Sequence, residues 1–256
     1  MSKVKYPIYI PSRGRFDNAL TAPMLAKFGI PFFLVVEDKE YDAYAKYFPK
    51  SHLLKLDGSD YGDVSVARNF IKSHAMQNGH QYHWQMDDDI AGLMMVKNRI
   101  VLSENSIEIL SSAEQFVDEY LNIGMAGFGS SVFGKLATQP YGINKFAYTL
   151  FLLRSNTPHQ FTRATEEDLD YNLQLLTDKW CTVQFNCYLF KWATTGTRKG
   201  GYTDLNANNR RIERQKNTMR RWPALLNKVA PKKDGFRIVT NQVWKTFTHK
   251  LIKKKV

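Results

Sequence analysis

Cysteine is scarce. Of 256 residues only Cys181 and Cys187 carry thiols, and no other Cys or His stands near them at zinc-binding spacing. That excludes a disulfide framework and a zinc finger from the reading, and leaves buried, reduced thiols as the expected state. Long apolar runs are missing too. Nothing approaches the roughly 18 residues a spanning helix needs, and the opening "MSKVKYPIYIPSRGR" has no apolar segment of the secretory kind. A soluble, cytoplasmic protein with no membrane partner is expected. Internal repeats and low-complexity linkers are also lacking, so one α/β domain is expected from a length that can bury a sizeable core.

Acidic charge is thin in one half only. Residues 1–150 hold 15 Lys+Arg against 16 Asp+Glu, whereas residues 151–256 hold 21 against 8, so the formal +12 belongs to the C-terminal part. A basic block of this kind favours a polyanionic partner, of which nucleic acid is the commonest. The last residues, "KLIKKKV", read instead as a solvated basic tail.

What is present alternates. "YPIYIP" and "PFFLVVED" are short, β-branched and aromatic runs that read as buried strands. Between them "DNALTAPMLAKFG" predicts a helix with Asp17 as N-cap and Gly29 at its end. "KEYDAYAKYF" suits a second helix and "DVSVARNFIKSHAMQNG" a third, with Val64, Ala67, Phe70, Ile71, His74 and Ala75 at helical spacing. "QYHWQMD" reads as a strand, "SENSIEILSSAEQFVDEYL" as a helix, and "IGMAGFG" and "AYTLFLLR" as strands. "TEEDLDYNLQLLTDKW" follows as a helix and "TVQFNCYLF" as a strand. Such alternation predicts a mostly parallel sheet covered by helices on both faces. From about residue 193 the texture changes to a Gly-bearing loop and a long basic helix that Pro223 terminates. Residues 1–195 are therefore expected to form the main unit, and 196–256 a basic helical extension packed on it.

Four motifs carry chemistry. The first is the acidic triplet Asp87, Asp88 and Asp89 at the end of an apolar strand, where like charges repel unless something positive sits among them. In open α/β sheets ligands bind beyond the carboxyl ends of strands, and oxygen donors there suit Mg²⁺ or Mn²⁺ bridging to a phosphate. Along an extended segment Asp87 and Asp89 project to one side and Asp88 to the other, so the outer pair is the expected metal set. An acidic turn that merely caps a helix would look the same. The second motif, "PSRGR", places Ser12, Arg13 and Arg15 around Gly14 after the first strand, and arginines there can fork onto phosphate. In the third, "SVARNF", Arg68 lies on an otherwise apolar helix and needs an anionic partner, either the triplet or a bound diphosphate. The fourth, "TRATEEDLDYNLQLL", has Thr165 as expected N-cap with Glu166, Glu167 and Asp168 in the first turn, where acids complement the helix dipole. Asp170 is one acid more than that needs, and a carboxylate facing the cleft can take a proton from a hydroxyl.

Taken in order, "IYIPSRGR", "ARNF", "WQMDDDI" and "EEDLDYNLQL" resemble nucleotide-sugar glycosyltransferases of the GT-A type. They are most similar to the TET-associated and base J glucosyltransferase group, which sugars hydroxymethylated pyrimidines in phage and kinetoplastid DNA; the resemblance covers roughly residues 6–205. It implies a Rossmann-like sheet holding a nucleoside-diphosphate sugar, most often a UDP-sugar. Ser12, Arg13, Arg15, Arg68 and Asp88 would bind that donor, and Asp87 and Asp89 the Mn²⁺ or Mg²⁺. Glu167 and Asp168 match the acidic pair near the acceptor, with Asp168 the expected base if the reaction inverts the anomeric centre and an orienting group if it retains it. GT-A enzymes often carry a late histidine as a further metal ligand, and here the only histidine beyond residue 159 is His249, in a basic setting.

The acceptor implied is double-stranded DNA with hydroxymethylcytosine or a related pyrimidine, within a host bacterial cytoplasm if the protein is viral. Arg198, Lys199, Arg210, Arg211, Arg214 and Arg220 are the expected DNA-phosphate contacts, since residues 191–256 carry 18 basic against 3 acidic groups. Trp222 or Tyr202 would be a stacking ring if it is not a core residue. A polysaccharide or protein acceptor, or a metal-dependent nuclease, would use the same acidic and basic groups. The oligomeric state is left open.

Overall fold

Each apolar run named above that ends in a polar turn becomes a strand, because a short β-branched segment buries both faces best inside a sheet. The computed structural model describes residues 3–57, 63–97, 100–103, 105–131, 138–192, 207–233 and 235–255. Its strands are β1 (Ile8–Ser12), β2 (Phe33–Glu37), β3 (Leu53–Leu56), β4 (Tyr82–Met86), β5 (Ile90–Lys97), β6 (Ile100–Ser103), β7 (Ile123–Ser130), β8 (Tyr141–Ile143), β9 (Leu150–Arg154), β10 (Cys181–Trp192), β11 (Val229–Lys232) and β12 (Gly235–Ile238). Its helices are α1 (Thr21–Lys27), α2 (Tyr41–Tyr44), α3 (Val64–Gln77), α4 (Ser106–Asp118), α5 (Glu167–Thr177) and α6 (Ala207–Arg221). Among the described residues no helix is long and apolar enough to cross a membrane.

Ten strands join in one sheet ordered β3-β2-β1-β4-β9-β7-β10-β5-β6, with β8 on β10. The expected α/β sheet is present. β1 to β4 run parallel, as do β7 and β10, while β9 runs antiparallel between β4 and β7. β5 is antiparallel to both β10 and β6. Alternate side chains serve opposite layers. Ile8, Ile10, Leu34 and Trp84 pack with Leu25 of α1 and Ile109 and Val117 of α4. Tyr9 and Val35 pack on the other face with Ala67, Ile71 and Ala75 of α3.

The strand order reverses beside β1: β2 and β3 lie to one side and β4 to the other. Their carboxyl ends therefore flank a crevice of the kind that binds ligands in open α/β sheets.

Several local expectations are corrected. α1 begins at Thr21, and Asp17 does not cap it. Its first amides find a partner in the acidic triplet instead, as Leu20 N and Thr21 N donate to the Asp88 carbonyl at 2.8 and 3.3 Å. The second helix is a 3₁₀ turn plus the single turn α2, and β3 is an additional strand. Thr165 bonds back to the Thr162 carbonyl rather than capping α5, because Glu166 N is satisfied from another element, Thr218 Oγ1 of α6, at 2.8 Å.

The C-terminal residues are bound to the sheet domain. α6 ends before Pro223 as its sequence requires, and Arg221 Nε and Trp222 Nε1 both meet the buried Asp170 Oδ1 at 2.7 Å. Asp170 thus anchors this segment and does not face the cleft. Trp222, Leu226, Val243 and Trp244 pack on Leu169, Leu173 and Leu176 of α5. "KLIKKKV" is not merely solvated: Leu121 N donates to Ile252 O and Lys254 N to Glu119 O, each at 2.8 Å, while Leu251 packs against the core. Exposed lysine heads and a hydrogen-bonded backbone coexist there.

Asp170→Ala would leave two donors without an acceptor and should lower unfolding free energy by about 2–3 kcal/mol. The midpoint of a urea titration, compared with that of Asp170→Asn, checks it; the Asn variant, which keeps an acceptor oxygen, should lose less.

Candidate functional site

At the end of β1 the chain turns on Gly14, whose φ of +64° suits a residue without a Cβ. The turn brings Ser12 and Arg15 onto the triplet. Ser12 Oγ donates to Asp88 Oδ2 at 2.6 Å and lies 2.7 Å from the Tyr44 hydroxyl. Arg15 Nη1 pairs with Asp88 Oδ1 and lies 3.3 Å from Asp89 Oδ2. Arg13 stays half-exposed, 3.5 Å from Glu37 Oε1.

A second guanidinium sits on the other side. Arg68 is 2% exposed and packs against the rings of Phe151 and Phe161, at 5.0 and 5.7 Å from their centroids. Its Nη2 meets Asp87 Oδ1 at 2.9 Å and Asp168 Oδ1 at 3.5 Å, and its Nε lies 3.6 Å from Glu167 Oε1. Burial works to lower its pKa, but Asp168, Asp87 and Glu167 together hold it above the ordinary arginine value. The triplet therefore does have positive charge among it: Arg68 holds Asp87, and Arg15 holds Asp88 and Asp89.

Helix α3 sets this geometry. Asp63 caps its Ser65 amide at 3.0 Å and receives the Ala164 amide at 2.7 Å. Asn69 exchanges two 2.8 Å hydrogen bonds with the Phe161 backbone, so the segment leading into α5 is fastened to α3. Glu167 and Asp168 then face Arg68. The Thr149 amide donates to Asp168 Oδ2 at 3.3 Å and the Thr149 carbonyl accepts from Asp87 N at 2.9 Å, which ties the two acidic segments through one residue.

Five carboxyl groups surround two guanidiniums, and the imbalance shows in their protonation. Burial, opposed by Arg68, pushes Asp87 up to about 7. Burial and then the neighbouring Asp168 push Glu167 up to about 8, and burial also raises Asp88. Asp89 Oδ1 and Asp168 Oδ1 make no hydrogen bond among the described residues. Surplus oxygen donors of this kind fit a hard divalent cation. Among the described residues no three His, Cys, Asp or Glu side chains form a ready metal cage.

Beside these groups lies a cavity of about 390 Å³. Val35, Leu56, Val64 and Ala67 form an apolar wall, and Ser12, Arg13, Arg15, Arg68 and Glu167 a polar one. That is the size and mixed lining of a small-ligand site.

The remaining expected residues divide. Arg211 and Arg214 are half-buried and oppose the burial that raises Glu166, while Arg210 is exposed. Arg220 is exposed and bonded to Asn217 Oδ1 at 2.8 Å. Arg198, Lys199 and Tyr202 lie outside the described residues. Trp222 is a packing residue bonded to Asp170, and His249 Nε2 donates to the Leu176 carbonyl at 2.7 Å, so neither serves the site. Tyr44, Asp63 and Thr149 are site residues that the motifs did not reveal; only Asp63 left a sequence signal, as an acid just before a helical pattern.

The profile of the TET-Associated Glycosyltransferase family matches residues 6–201. This chain belongs to the TET-associated glycosyltransferase family. All four motifs lie within the match, and α6 with everything beyond it lies outside. GREB1-like protein of Homo sapiens is 25% identical over 222 residues and that of Mus musculus 23%, in each case covering 73% of this chain. The chain spans only 12% of the length of those proteins. A solved structure, the inositol-1-phosphate CTP transferase from T. maritima, aligns with 14% identity and a TM-score of 0.40, over 77% of this chain and 92% of that one.

For this glycosyltransferase family member the buried acids give a pH test. Glu167 takes up its proton more readily folded than unfolded, so stability falls as pH rises from about 4.5 to about 8. Glu167→Gln removes that loss. The variant should melt several degrees above the wild type at pH 8 and close to it at pH 4.5, as read by thermal unfolding at both values.

Proposed function

We propose that this glycosyltransferase moves a sugar from a nucleoside-diphosphate sugar, most simply a UDP-sugar, to the hydroxymethyl oxygen of a modified pyrimidine such as hydroxymethylcytosine in double-stranded DNA, as a phage-type DNA-modifying enzyme. The observation that carries the donor side is the meeting of Ser12, Arg15 and Arg68 with five carboxyl groups beside a nucleotide-sized cavity that Arg13 also lines. The acceptor side is supported by family membership and by the net charge of +15 on residues 191–256.

In this reading the nucleoside enters the apolar part of the cavity, and Arg13 and Arg15 draw its diphosphate to the end of β1. Asp87 and Asp89 would hold Mg²⁺ or Mn²⁺, which when bound would supply further positive charge to the diphosphate. As the bond between the anomeric carbon and the phosphate oxygen breaks, the diphosphate leaves with the electron pair and the arginines stabilise its growing charge. The hydroxymethyl oxygen bonds to the anomeric carbon and gives its proton to a carboxylate. If the anomeric centre inverts, the base in this reading is Asp168, which the Thr149 amide and Arg68 hold in place; retention would leave that carboxylate an orienting role.

The test is a donor screen. The protein is incubated with Mn²⁺ or Mg²⁺, UDP- and GDP-sugars, and duplexes carrying hydroxymethylcytosine, hydroxymethyluracil or no modification, and nucleoside masses are read after digestion. A gain of one sugar that requires the modified base is expected, and Asp87→Asn with Asp89→Asn should reduce it about 100-fold or more at unchanged fold. Donor hydrolysis with no gain on any DNA would move the acceptor to a carbohydrate or protein, and cleavage of plain DNA without a sugar donor would replace transfer by nuclease chemistry.

A further inference from the structure

The donor cavity takes its apolar wall from β2, β3 and α3, at one end of the sheet order. On the other side of the acidic triplet stands an aromatic pair that the mechanism above does not use. Trp192 closes β10 and pairs with Ile90, the residue that follows Asp87–Asp89. Tyr148 immediately precedes Thr149, whose backbone holds both Asp168 and Asp87. The two rings lie 6.1 Å apart, and each has further rings behind it: Phe190 at 4.9 Å from Trp192, and Phe146 at 5.0 Å from Tyr148.

Two features distinguish Trp192 from a packing residue. It is 37% exposed, whereas Trp84, near the middle of the same sheet, is fully buried. The β10–β5 ladder also shifts register between Lys191 and Trp192, an irregularity that re-aims a side chain and is common beside active sites. A large ring held outward by an aromatic backing, opposite the residue that follows the acidic triplet and beside the residue whose backbone holds Asp87 and Asp168, is a stacking surface.

We propose that Trp192, backed by Tyr148 and Phe190, is the platform on which the acceptor pyrimidine stacks once it has left the duplex. This rests on the DNA-acceptor reading, since only a base that must be reacted outside the helix needs a ring to replace its lost neighbours. The platform lies across the triplet from the donor cavity, so a stacked base presents its hydroxymethyl group to Asp168 while the sugar arrives from the opposite side.

The test compares wild type, Trp192→Ala, Trp192→Phe and Tyr148→Phe on hydroxymethylcytosine duplexes. Trp192→Ala should raise the acceptor KM about 10- to 100-fold, with a smaller change in kcat and with UDP-sugar affinity, measured by titration, within twofold of wild type. Trp192→Phe should recover most of the acceptor affinity but lose the part of the tryptophan fluorescence quenching that binding produces in the wild type. An acceptor KM unchanged in Trp192→Ala would overturn the platform while leaving the DNA reading intact. Wild-type protein that transfers to no DNA would overturn the reading itself, and the pyrimidine as occupant with it. Parallel loss of donor and acceptor affinity would assign Trp192 a packing role and also overturn the platform.

Discussion

Arg68 is a full positive charge with almost no access to water, and such a group is tolerated only when its neighbours repay the lost hydration. Asp87, Glu167 and Asp168 do so from two different segments, so the ion cluster joins the carboxyl end of β4 to the first turn of α5. Removing the arginine would leave three acids facing one another; removing the acids would strand the cation. The fastening of α3 to the 161–164 segment through Asn69 and Asp63 keeps these partners in register. Arg15 repeats the arrangement one strand over, with Asp88 and Asp89. The result is an acid-rich edge next to two guanidiniums at the carboxyl ends of β1 and β4.

The C-terminal residues bear on the same edge from outside the family match. α6 supplies the partner of the Glu166 amide and is anchored on Asp170 at its far end. It therefore carries Arg211 and Arg214 to the acidic start of α5. Basic groups that would repel nothing on a neutral surface here flank a cluster with excess carboxyl groups, which favours their orientation before any polyanion arrives. β11 and β12 brace the helix from behind, since a Cβ added at Gly235 would meet Ile212 of α6 at 2.8 Å.

Much of this was legible in the sequence. The strands that became β1, β2, β4, β7, β9 and β10, and helices α3 to α6, follow from short apolar runs and helical spacing, and Ser12, Arg13, Arg15, Arg68, Asp87–Asp89, Glu167 and Asp168 were recognisable as polar groups at the ends of apolar elements. The direction of β9 was not, because a strand buried on both faces has the same composition whichever way it runs. The division of the triplet was not legible either. Alternation alone groups Asp87 with Asp89, whereas the structure sends Asp87 to Arg68 and gives Asp88 and Asp89 to Arg15, a choice made by partners distant in sequence. Asp170 and Trp222 were weighed for function and turned out to satisfy each other, since hydrogen bonding over 52 residues leaves no local mark.

The measurement that tests the central claim most directly is a calorimetric titration of the protein with UDP, with and without Mn²⁺, in wild type and Arg15→Ala. The account predicts binding that Mn²⁺ tightens and that Arg15→Ala weakens by an order of magnitude or more. Binding unaffected by both the ion and the arginine, or no binding of UDP or GDP at all, would contradict the assignment of this edge as the donor site.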